Sequence, residues 1–123
     1  MNRVNQLVLM AIISATPAIA TAETPDEPIS FSSKRGEKLW NSQFTVSGQQ
    51  RSCASCHTTD PRQAGKHIRT GKVIQAMAPS VNADRITDQS KINKWFKRNC
   101  KWTLGRVCTN QEKGDVLEYL KSL

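Results

Sequence analysis

Five consecutive residues carry the clearest chemistry in the chain: Cys53-Ala54-Ser55-Cys56-His57. Two thiols separated by two residues and followed at once by an imidazole have the spacing that attaches haem c. Each thiol adds to one haem vinyl group, and the histidine lies beneath the iron as its proximal ligand. Two other chemistries use a CxxC pair. A thioredoxin-like redox pair needs a βαβ setting, and no such pattern surrounds this one. A zinc site needs two more ligands at short spacing, and Cys100 and Cys108 are too far from one another for the usual knuckle. The motif is read as a haem c site.

The start of the chain agrees with that reading. Arg3 supplies a positive n-region, and Leu7-Val8-Leu9-Met10-Ala11-Ile12-Ile13 is an apolar run too short to span a bilayer. Ala18-Ile19-Ala20 is a small-x-small cleavage site, with Thr21-Ala22 allowing a cut two residues later. Residues 1–20 are therefore expected to be an export signal and residues 21–123 one small domain in the periplasm, where haem c is attached. An uncleaved anchor is the alternative. A domain of this length has little room for an apolar core of its own, and a covalent haem would supply much of it. The formal charge of +8 becomes +7 once Arg3 is removed. Export argues against nucleic acid as the counterpart, which leaves an anionic membrane, an acidic protein partner or a merely solvated basic surface.

Three helices must position these residues. The first starts at Ser32 or Ser33, runs to about Gln43, and carries Leu39 and Trp40. Gly36, one turn before Trp40, allows another helix to approach closely. Thr45 to Arg51 reads as a polar loop into the haem motif. Thr58 to Asn82 has no sustained periodicity and is expected to wrap the prosthetic group. Arg62, Lys66, Arg69 and Lys72 lie along it, as candidates for pairing with haem propionates or as simple solvated charges. From Thr87 or Asp88 a second helix begins. Ile92, Trp95, Phe96 and Asn99 share one face of it, and Lys91, Lys94, Lys97 and Arg98 the other. Thr109-Asn110-Gln111-Glu112 is a capping box opening the third helix, whose buried stripe is Val116, Leu117, Leu120 and Leu123 with Tyr119 at its border. Gly36 and Gly114 are expected to mark the crossing of the first and last helices.

Cys100 and Cys108 remain after the haem has taken two cysteines. In an oxidising compartment such a pair is expected to form a disulfide, worth about 2.5 kcal/mol by chain entropy, with two free thiols as the alternative. It would join the end of the Asn99 helix to the start of the last one.

The sixth iron position decides function. Met77, the only methionine after residue 20, lies just 20 residues past His57 and reads more naturally as packing. His67, the only other histidine, reads as an exposed loop residue. Asn99 lies 42 residues past His57, where a distal ligand is expected, although an asparagine capping its helix end would look the same.

Over essentially the whole of residues 21–123 the chain resembles the sphaeroides haem protein (SHP) group of monohaem cytochromes c and the related cytochrome c″. Cys53 to His57 and Asp60-Pro61-Arg62 carry the likeness at the attachment region, and Arg69-Thr70-Gly71-Lys72 in the middle loop. Trp95, Arg98-Asn99-Cys100, Cys108-Thr109 and Gln111-Glu112-Lys113 carry it on the distal side. The resemblance implies an all-α, class I-like cytochrome c fold of about three main helices around one haem c, closed by a distal-side disulfide. It implies that the residue before the first bridging cysteine is the distal ligand, asparagine in the SHP type and histidine in cytochrome c″, which makes Asn99 that ligand here. In this family the asparagine leaves on reduction, and the ferrous iron can take O2, CO or NO. Trp95 is then a candidate for packing on the haem. Arg62, Arg69 and Lys72 are the candidate propionate contacts. Dihaem cytochromes or membrane cytochromes b are the partners implied. An amide oxygen is a hard, weak donor that suits ferric iron better than ferrous, which agrees with a redox-labile bond. No distal His–Arg pair of the kind a peroxidase uses is evident, so an enzyme is not expected.

Overall fold

The computed structural model describes residues 28–123; the expected export signal and its cleavage site lie outside them. Helix α1 spans Ser33–Asn41, and Ser32 caps it by accepting from the backbone N–H of Arg35. A hairpin follows, with β1 over Phe44–Val46 and β2 over Gln49–Arg51, antiparallel with Phe44 opposite Arg51. The expected polar loop is therefore a β-hairpin. Its turn, Ser47-Gly48, places both residues at positive φ (51° and 75°), the backbone twist that two-residue hairpins need.

The short helix α2 spans Ala54–His57 and carries the second thiol and the imidazole. The segment beyond it holds only a minimal hairpin, β3 over Gly65–Lys66 and β4 over Val73–Ile74. Helix α3 spans Gln89–Leu104, with Asp88 as its N-cap accepting from Ser90 and Lys91. It ends at Gly105, whose φ of 74° terminates the helix at low cost. Helix α4 spans Asn110–Ser122 behind the complete Thr109–Glu112 capping box. Arg106 reinforces that box by a forked pair on the Glu112 carboxylate.

Helices α1 and α4 form the main packed layer. A Cβ at Gly36 would run into the backbone carbonyl of Asp115 and the Cβ of Tyr119, so the helices cross where the missing side chain lets backbone meet backbone. Gly114 serves a different contact from the one expected, making room for the ring of Phe31. Trp40, Val116, Tyr119 and Leu120 form the buried cluster between the helices, with Trp40 and Tyr119 edge to face at 6.1 Å. Tyr119 thus belongs to the core and not to its border, while Leu117 is only half-buried, because the crossing at Gly36 brings the Tyr119 side of α4 against α1. Asp115, also buried, gathers Arg35, the Ser32 N–H and Gln111 and so fixes the entry of the chain onto α4.

The architecture is the all-α cytochrome type, with three main helices, one short helix and two minor hairpins among the described residues.

The candidate haem site

The attachment segment is held from three sides. Ser52 and Ser55 cap each other: each backbone N–H donates to the other's hydroxyl, at 3.0 and 3.1 Å. The Trp40 indole donates to the Thr58 carbonyl at 2.8 Å, and its ring lies 5.5 Å from that of His57. Gly65 presses on the other side, where a Cβ would strike the Cys56 carbonyl and the His57 backbone. Directly after His57, Thr58 sits at φ 66°, an uncommon conformation for a β-branched residue. The Trp40 bond to its carbonyl and its own hydroxyl bond to the Asp60 carbonyl hold it there. Ile86, the other β-branched residue at positive φ, packs against the same core. Thr58 thus stores backbone strain directly beside the imidazole, as at sites where geometry is over-determined.

The donor set fits a haem. Cys53 and Cys56 are both free thiols. Burial pushes the Cys53 thiol up to about 11, with the neighbouring Cys56 adding to the effect, which is unlike the acidic nucleophile of a redox CxxC. His57 is pushed down to about 4, first by burial and then by the positive charge of Arg85, so the ring is the neutral imidazole that a metal requires. Its Nδ1 is buried without a partner among the described residues. Leu39, Cys53, Ala54, Met77, Ile86 and Phe96 are half-buried around the central cluster, an apolar collar of the sort that a porphyrin face covers. Among the described residues no three His, Cys, Asp or Glu side chains group to hold a metal by themselves, which leaves the zinc reading without ligands.

The other expected residues fall into distinct settings. Asn99 is exposed and lies within α3, which continues through Leu104. It is not at the last turn, and Gly105, not Asn99, caps the helix; Cys100 to Leu104 are compatible with helix, and the left-handed glycine stops it. Trp95, one turn earlier, is 49% exposed with the Arg98 guanidinium 5.2 Å from its ring. The Cys100–Cys108 disulfide is present, and both halves are buried. Met77 packs on the core and donates its N–H to the Pro61 carbonyl. The Nδ1 of His67 accepts from the N–H groups of Arg69 and Thr70, a turn-forming role. Arg62 is forked onto Asp60, while Arg69 and Lys72 are exposed on the loop between β3 and β4.

Sequence reasoning missed five residues that shape this site. Arg51 lies 4.5 Å over the Trp102 ring and donates to the Trp102 carbonyl, pinning the first hairpin to α3. Ser52 and Ser55 follow the S-x-x-polar spacing of a capping box, which was a legible signal. Gly65 offered only its identity. Arg85 donates to the carbonyls of Gln75 and Ala76, and nothing in its local sequence announced that.

Comparison with known proteins agrees with this arrangement. The family described as "Domain of unknown function (DUF1924)" matches residues 26–120. Cytochrome c-type protein SHP of Cereibacter sphaeroides is 38% identical over 124 residues, covering 93% of this chain and 95% of the relative. The chain belongs to the SHP and cytochrome c″ family. Cytochrome c″ of Methylophilus methylotrophus is 43% identical over 86 residues, which cover 69% of this chain and 60% of the relative. The crystal structure of oxidised cytochrome c″ superposes with a TM-score of 0.70 at 39% identity, covering 76% of each chain. The structure of oxidised SHP, described as an oxygen-binding cytochrome c, superposes with a TM-score of 0.71 at 40% identity, covering 76% of this chain and 83% of SHP. As a member of this family, the chain is a c-type cytochrome carrying haem c. No described helix is long and apolar enough to cross a membrane.

Proposed function

We propose that this cytochrome is a periplasmic one-electron carrier whose distal ligand, Asn99, is redox-labile. The haem supplies a one-electron Fe(III)/Fe(II) couple. Cys53 and Cys56 tether it through two thioethers, and neutral His57 gives it a proximal nitrogen. Asn99 offers an amide oxygen from α3, a hard donor that favours the oxidised metal and lets go on reduction. The observation carrying this reading is the position of Asn99. It is exposed within a continuous helix and followed at once by the buried bridge Cys100–Cys108, which restrains it without occupying it.

The exposed row Lys91, Lys94, Lys97 and Arg98 on the same helix suits an acidic redox partner, such as a dihaem cytochrome or a membrane cytochrome b. Added salt is expected to slow electron exchange by screening that attraction, and an unchanged rate would remove the docking role. A second reading, binding of a diatomic gas once Asn99 has left, is supported by the oxygen binding attributed to SHP.

An optical titration of the dithionite-reduced protein with CO tests both. A high-spin reduced spectrum that converts rapidly with CO is expected. A low-spin reduced spectrum indifferent to CO would overturn the labile ligand and leave a plain electron carrier.

A further inference from the structure

Of the arginines in the described chain, most have an evident counter-group. Arg35 pairs with Asp115, Arg62 with Asp60 and Arg106 with Glu112. Arg51 rests on the face of Trp102 and bonds its carbonyl and the Gln49 amide oxygen. Arg98 lies over the exposed Trp95 ring, and Arg69 stands in solvent. Arg85 is different. It is half-buried and makes no salt bridge and no cation–π contact among the described residues. Its Nε donates to the Ala76 carbonyl and its Nη2 to the Gln75 carbonyl, each at 2.9 Å, which fixes one edge of the guanidinium. Asn82 donates to the same Ala76 carbonyl and accepts from the Arg85 N–H, so the side chain is locked by its own loop. The next residue, Ile86, carries backbone strain at φ 61°. Ile86, and Met77 next to the Ala76 carbonyl that Arg85 holds, pack on the same cluster as Cys53 and Ala54, which places the guanidinium at the edge of the attachment site.

A partly desolvated, immobilised cation with free N–H donors beside an apolar collar calls for an anion. We propose that Arg85 anchors one haem propionate through the N–H donors that Gln75 and Ala76 leave free. This rests on the haem reading of Cys53 to His57. It moves the anchoring role away from Arg62, whose charge is already balanced by the Asp60 carboxylate, and from Arg69 and Lys72, which would have to be ordered from solvent. Arginine suits the task because a planar fork can serve carbonyls on one edge and a carboxylate on the other.

The test is the midpoint potential of the holoprotein as a function of pH, for wild type, Arg85→Gln and Arg85→Lys. Loss of an adjacent cation raises a carboxylate pKa by about 1–3 pH units, so the bend in the curve should move up by that amount in Arg85→Gln. Arg85→Lys, which keeps the charge and loses the fork, should fall between the two. Lys34→Gln removes the same charge from an exposed helix position and should leave the curve unmoved. Superimposable wild-type and Arg85→Gln curves would overturn the proposal. If Arg85→Gln does not mature, infrared titration of wild type with carboxyl-13C haem decides. One propionate held below the ordinary carboxylate range supports the anchor, and two propionates at the ordinary value sink it. A pyridine haemochrome assay separates the two failures, since a wild type without covalent haem c would remove the haem reading itself.

Discussion

At the α1–α4 crossing backbone meets backbone. Gly36 lies against the Asp115 carbonyl, Trp40 and Tyr119 close edge to face, and a buried carboxylate gathers three donors. Helix α3 is held in another way. Its main partner is the small strand β1, and it is secured near its C-terminal end by the Cys100–Cys108 bridge and the Arg51–Trp102 clamp. Toward the middle of α3, Trp95 and Asn99 are exposed, and only Ile92 and Phe96 turn inward. The proximal imidazole belongs to the first region, through Trp40 and Thr58. The proposed distal ligand belongs to the second. On the proposed function, the ligand that stays would be built on the packed layer, and the one that leaves on a helix tethered at one end.

The largest effect is expected from closing the gap at the crossing. Gly36→Ala forces a methyl into the Asp115 carbonyl, and overpacking of this kind should cost at least about 3 kcal/mol. Thermal unfolding should drop by more than about 12 °C, while the spectrum of the surviving holoprotein stays that of wild type. A normal melting temperature would show that α1 can slide, and the comparison between a fixed and a tethered region would fail.

Replacing both bridge cysteines, Cys100→Ser with Cys108→Ser, should cost about 2.5 kcal/mol. Unlike Gly36→Ala, it should also broaden the ferric spectrum, because the bridge adjoins Asn99. Equal spectra would mean that the bridge stabilises the chain without restraining the ligand.

A smaller effect comes from acid. The Arg35 pair, helped by the Ser32 N–H, holds the Asp115 carboxyl below its ordinary value of 3.8. Its contribution is therefore fully present above that value and is lost as pH falls through the lower folded one. The urea midpoint should fall steeply below about pH 4, and Asp115→Asn should flatten that limb while lowering the neutral-pH midpoint. An acid limb unchanged in the variant would shift the cause elsewhere.

How these regions could be read from the sequence differs in the same way. The packed layer was largely legible, because Gly36, Trp40 and the Val116–Leu120 stripe follow helical period and the capping box at Thr109 marks a start. The haem motif and the leftover cysteine pair were legible from spacing alone. What was not legible depends on loop contacts that follow no helical or strand period. Gly65 meets the Cys56 carbonyl across a loop, and Arg85 is fixed by carbonyls nine and ten residues earlier. The end of α3 was placed too early because Asn99 resembles a cap, whereas the residue that stops the helix, Gly105, lies beyond the first bridging cysteine.

Asn99→Ala should change stability least and spectroscopy most. The side chain is exposed, so with the iron reduced and the amide already released, the unfolding free energy should move by less than about 0.5 kcal/mol. In the ferric state the same change should turn the spectrum high-spin. Asn99→His supplies the control, since imidazole is a donor that both oxidation states accept. It should keep the reduced protein low-spin and slow its response to CO, at an unchanged helix content. If Asn99→Ala leaves the ferric spectrum intact, the distal ligand lies elsewhere. In that case the exposure of α3 near Trp95 reflects a docking face and not a gate.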